Sequence, residues 1–117
     1  MKTDNVILIK SKAFALRVIK LYKYLCGKKR EFVMSKQIMR SGTSIGANVR
    51  EATRAQSTPD FISKMNIALK EAEETCYWLE LLYESEYLDE KAFNSLYSDS
   101  MELLKILTSI VKTSRAA

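Results

Sequence analysis

Apolar positions recur at helical spacing in four successive segments of the chain. In the first, Ile7, Phe14, Val18, Leu21 and Leu25 share one face of a helix predicted from about Asp4 to Tyr24 or Cys26, with Gly27 as its C-terminal stop. The second runs from about Phe32 to Ala55 on a stripe of Met34, Ile38, Ile45, Val49 and Ala52. Gly42 and Gly46 fall inside it, each unfavourable by up to about 1 kcal/mol against Ala, so a neighbouring helix backbone is expected close by. The third starts with Thr58 as cap, Pro59 at the first helical position and Asp60 at the positive end of the helix dipole. Its stripe is Phe61, Met65, Ala68, Leu69, Ala72, Cys76, Leu79 and Tyr83, ending near Ser85. Asp89 caps the fourth, with Glu90 in its first turn and a stripe of Phe93, Leu96, Tyr97, Leu103, Leu104, Leu107 and Val111; Thr113 to Ala117 is expected to fray. Long helices with short connections predict an all-α, antiparallel up-down-up-down four-helix bundle, a single domain over residues 1–117.

Composition sharpens this picture. Three Gly and one Pro are too few to punctuate many short strands. The start, Met1 to Asn5, leads directly into an amphipathic segment rather than a signal peptide, and no run approaches the roughly 18 apolar residues of a membrane span. Cys26 and Cys76 sit inside helical patterns and read as reduced thiols, which with the missing export signal points to the cytoplasm.

The net charge of +5 is unevenly distributed. Residues 1–40 carry 11 Lys/Arg against 2 Asp/Glu, whereas residues 41–117 carry 8 against 12. Two readings are open: a basic face for a polyanion, or basic and acidic halves packed together within or between chains. The polyanion candidates are Lys10, Lys12, Arg17, Lys20, Lys23, Lys28, Lys29 and Arg30. A second set of apolar residues lies off the core stripes. Ile9, Ala13, Leu16 and Tyr24 stand among the lysines of the first helix, and Ile67, Trp78 and Leu81 among Glu71 and Glu74 of the third. Either these widen the core contacts, or Ile9, Leu16, Tyr24, Ile67, Glu71, Glu74, Trp78 and Leu81 form a heterologous subunit interface able to close into a ring.

Candidate chemistry is sparse. The chain has no histidine, which removes the commonest general base and neutral metal ligand. It has no Cys-x-x-Cys pair, no strand-borne glycine loop for phosphate, and no inward Glu-x-x-His pairs for a di-iron site. We therefore expect no catalytic residues, cofactor, metal or small-molecule substrate. One polar constellation stands out: Arg40, Ser44, Asn48 and Glu51 flank the second helix's stripe, serving either hydrogen bonds at the bundle edge or a partner surface.

The run from Met39 through Arg40, Gly42, Gly46, Asn48 and Glu51 to Ala52 resembles the signature of the bacterial 23S rRNA intervening-sequence proteins. The similarity continues through Gln56-Ser57, Asp60-Phe61, Lys64-Met65, Ile67 to Ala72, Glu74-Thr75 and Tyr77 to Leu79. The resemblance implies a small helical bundle, in some members a homopentameric ring, and relatives that act as accessory proteins of diversity-generating retroelements and bind nucleic acid. It supplies no catalytic residue. Where the family motif often has Gly after the Glu, this chain has Ala52, which weakens transfer of a specific role. The leading expectation is a non-catalytic homo-oligomer that binds RNA or a ribonucleoprotein through basic residues of the first helix and following loop. The alternative is a protein-interaction scaffold whose charged faces serve subunit packing. A membrane-surface role for the first helix conflicts with its apolar face being needed in the core.

Overall fold

The computed structural model describes the backbone of residues 2–116 and the side chains of residues 6–116. Among these, four helices account for all regular structure: α1 (Lys2–Gly27), α2 (Met34–Ala52), α3 (Thr58–Glu84) and α4 (Glu90–Ala116). Connections at 28–33, 53–57 and 85–89 are too short for anything but antiparallel neighbours. Packing is close for α1 on α2, α2 on α3 and α3 on α4, and sparser where α1 meets α4 to close the bundle. The rod measures 46 × 20 × 19 Å.

Local chemistry shifts several expected boundaries. α2 begins at Met34 rather than Phe32, because the Glu31 carboxylate accepts the amides of Val33, Met34 and Ser35 at 3.1, 3.0 and 2.7 Å. These are donors that a helix N-terminus leaves orphaned. It stops at Ala52 rather than Ala55, where the amides of Arg54 and Ala55 turn back to the Glu51 and Ala52 carbonyls. The cap of α3 is Ser57, not Thr58: the Asp60 amide donates to Ser57 Oγ at 3.2 Å, and Pro59 follows Thr58 inside the first turn. Asp89 caps α4 as expected, accepting from the Ala92 amide at 2.7 Å. α4 remains helical through Ala116, where Arg115 complements the dipole of the last turn, so the expected fraying is not seen up to that residue. Gly27 is the last residue of α1 and not a left-handed stop; that conformation falls to Arg30 (φ 56°).

The core contains every stripe residue expected from α1, and Ile38, Ile45, Val49 and Ala52 from α2. Leu82, Leu88 and Ile110 also belong to it. Gly46 lies against the Ser11 backbone of α1, the close approach its position implied, whereas Gly42 meets the Val18 side chain rather than backbone. Buried hydroxyls are satisfied locally. Thr75 donates to the Glu71 carbonyl at 2.8 Å and lies 2.9 Å from the Ser41 hydroxyl, joining α3 to α2.

Candidate functional site

The basic first helix faces two ways. On the side turned to α4, Lys10 pairs with Glu102 at 3.2 Å and Arg17 with Asp99 at 2.6 Å, while Arg17 also donates to Ser95 Oγ at 3.0 Å. These contacts bind the basic half to the acidic half within one chain, although exposed pairs of this kind contribute at most about 1 kcal/mol each. The other six candidates, Lys12, Lys20, Lys23, Lys28, Lys29 and Arg30, form no ion pair among the described residues. Lys20 lines a recess of about 360 Å³ at the α1–α4 seam with Leu21, Tyr24, Leu88, Ala92 and Leu96.

The connection after α1 is rigidly built. The Glu31 side chain is buried, its amide donates to the Leu25 carbonyl at 2.9 Å, and Ser35 Oγ donates to the Glu31 carbonyl at 2.8 Å. This holds Lys28, Lys29 and Arg30 outward, with the Arg30 guanidinium 5.4 Å from the centroid of the exposed Phe32 ring. Glu84, Glu86 and Asp89 lie at the same end of the bundle and share a recess with Lys29, so this end carries mixed charge.

The apolar residues proposed for subunit contact are unequal. Ile9 is 70% exposed, Leu16 60% and Tyr24 42%, in one stripe along the outside of α1. On α3, Ile67 is exposed, but Trp78 and Leu81 are half-buried and Trp78 packs on the core. Tyr77, which is not among the interface residues expected from the sequence, is 54% exposed and meets the Trp78 ring edge-on. Glu71 and Glu74 both accept from the Arg40 guanidinium across the α2–α3 groove, Glu71 at 3.0 Å. Trp78 Nε1 also donates to Glu74 at 2.9 Å. That indole hydrogen bond and the Arg40 guanidinium hold the Glu74 carboxyl below the ordinary carboxylate range, and Glu74 in turn raises Arg40.

The rest of the polar constellation is likewise engaged inside the chain. Ser44 Oγ donates to the Arg40 carbonyl at 2.6 Å, Asn48 Nδ2 to the Ser44 carbonyl at 2.9 Å, and Glu51 pairs with Lys64 at 3.3 Å. Both cysteines are free thiols: Cys26 is half-buried, and Cys76 is buried 3.1 Å from Ser100 Oγ, its thiol pushed up by desolvation. Among the described residues no group of three or more acidic, cysteine or histidine side chains gathers to hold a metal ion, and no helix is long and apolar enough to cross a membrane.

Two cations absent from the sequence-based set complete the picture. Arg50 and Arg54, near the end of α2, converge with Lys12 of α1 around a recess of about 350 Å³ that also touches Leu8, Ile9 and Thr53. Their four-residue spacing was visible in the sequence; that they meet Lys12 depends on how α1 and α2 pack.

A family model described as 23S rRNA-intervening sequence protein matches residues 3–109. A crystal structure of a protein of unknown function from the S23 ribosomal protein family of Bacteroides thetaiotaomicron is similar to this chain at 59% identity, with a TM-score of 0.93, covering 94% of this chain and 98% of that one. No curated protein matches the sequence.

Proposed function

The chain belongs to the 23S rRNA-intervening sequence protein family, and from that premise we propose that it is a non-catalytic, cytoplasmic bundle that assembles as a homo-oligomer, pentameric as the resemblance implies, and binds RNA or a ribonucleoprotein through basic residues of α1 and the loop that follows. The observation that carries this reading is the outer face of α1. Lys12, Lys20 and Lys23 stand exposed there without an ion-pair partner among the described residues, and Lys28, Lys29 and Arg30 extend the charge onto a rigid loop. Contacts of this kind neutralise phosphates, release counterions and show little sequence preference.

The test is binding of nucleic-acid-free protein to a labelled structured RNA at low and near-physiological salt. Tight binding that weakens steeply with salt is the expected result, with a Lys28→Gln, Lys29→Gln, Arg30→Gln variant weaker on all RNAs alike. No binding at low salt overturns the reading.

One observation favours a second reading, a scaffold without nucleic acid. Ile9 and Leu16 are large, exposed and interleaved with the lysines of that face, as a surface covered by a second copy would be. In that case sedimentation gives an oligomeric mass while RNA binding is absent throughout.

A further inference from the structure

We propose that the recess between α1 and the end of α2, walled by Lys12, Arg50 and Arg54, seats the phosphate groups of an RNA backbone. The proposal rests on the nucleic-acid reading above and moves its principal contact away from the loop. Among the described residues no carboxylate lines the recess. Lys10, Arg17, Arg40 and Lys64 each have a carboxylate partner, whereas Lys12, Arg50 and Arg54 have none among the described residues. Arg50 in the last turn of α2 and Arg54 in the turn that follows bring two like charges to one side of the recess, and packing α1 against α2 adds a third cation. The α2 carbonyl end offsets part of that repulsion. Glu51, the nearest carboxylate in sequence, pairs with Lys64 of α3. The Thr53 hydroxyl donates to the Arg50 carbonyl at 2.7 Å, so the arginine and lysine heads supply the charged donors. Two planar guanidinium forks and one ammonium are suited to phosphate oxygens. By comparison, the loop cations lie at the end of the bundle that also carries Glu84, Glu86 and Asp89, whose charges oppose a polyanion.

The source of the phosphate, polymer backbone or small free ligand, is separable by experiment. The native protein, Arg50→Gln/Arg54→Gln, Lys12→Gln and the triple loop variant are titrated with a labelled single-stranded RNA of about 12 nucleotides across a salt series. Inorganic phosphate and pyrophosphate serve as competitors, and helix content and sedimentation mass are recorded for each protein. We expect the double arginine variant to bind about tenfold or more weakly at low salt and its salt dependence to flatten by about 1.4 logarithmic units, the loss of two phosphate contacts. Lys12→Gln, on the other helix, should shift both quantities the same way by about half as much. Native binding with an unchanged arginine variant overturns the recess and leaves the nucleic-acid reading standing. Absence of native binding both to this RNA and to the structured RNA overturns both readings; pyrophosphate binding that depends on the arginines would then make the recess a free-phosphate site, still without RNA. A changed sedimentation mass in the arginine variant makes the recess a subunit contact and also overturns the proposal.

Discussion

Val18 of α1 occupies the space that Gly42 of α2 leaves open: a Cβ placed on Gly42 would stand 2.7 Å from Val18 Cγ2. At Gly46, one turn on, the nearest atom to such a Cβ is the Ser11 carbonyl oxygen at 3.4 Å, an ordinary contact. The two glycines should therefore respond oppositely to alanine. Gly42→Ala gains up to about 1 kcal/mol of helix propensity but forces a packed β-branched side chain to move, and a net loss of about 1–2 kcal/mol is expected. Gly46→Ala keeps the propensity gain and should be neutral or stabilising by up to about 1 kcal/mol. Denaturant midpoints compare them, and Val18→Ala combined with Gly42→Ala should show favourable coupling. An equal loss at both positions would contradict the packing described for Gly46.

The bundle was legible in the sequence because its signal is periodicity, and Ile7, Ile38, Leu79 and Leu107 are buried where the stripes placed them. Helix starts were less legible because they depend on which side chain reaches the orphan amides. Ser57 and Thr58 are both good caps by type, and only the backbone geometry, extended at Ser57, separates them. Glu31 is a poor cap by type, yet it does that work from outside α2. The charged surface was the least legible. The excess of cations in residues 1–40 is evident, but Lys10 and Arg17 are matched by Glu102 and Asp99, distant in sequence, and Lys12 is joined by Arg50 and Arg54 only through helix packing.

Glu31 supports a direct test of how the loop is held. Its buried carboxylate accepts three backbone amides at the start of α2. Glu31→Ala leaves those donors unsatisfied and should lower stability by about 1–3 kcal/mol, with Glu31→Gln intermediate because one acceptor oxygen remains. Amide hydrogen exchange should accelerate first at Val33, Met34 and Ser35. Slow exchange there in the alanine variant would show that another group caps the helix.

The exposed stripe on α1 gives a cleaner probe of assembly than the tryptophan on α3. Trp78 packs on its own core and donates to Glu74, so Trp78→Ala confounds interface loss with core loss. Leu16 is 60% exposed and outside the core, and surface changes away from such features usually alter monomer stability by less than about 0.5 kcal/mol. If α1 carries the subunit contact, Leu16→Glu should lower the sedimentation mass while helix content and thermal midpoint at low concentration stay close to native. An unchanged mass would take α1 out of the interface.

Tyr97 should report on the α3–α4 contact at high pH. Its hydroxyl donates to Glu80 at 2.9 Å, and this hydrogen bond, with some desolvation, pushes the phenol from 10.0 up to about 12. A raised folded-state value means the unfolded chain ionises first. The contribution of this bond to stability is therefore complete below pH 10 and is lost progressively as pH rises toward about 12. Difference absorbance titration of the native protein against Tyr97→Phe should isolate one phenol ionising near pH 12. The stability difference between the two proteins should shrink over the same interval. A Tyr97 that ionised near 10 while the bundle was still folded would mean that the Glu80 hydrogen bond does not persist in solution.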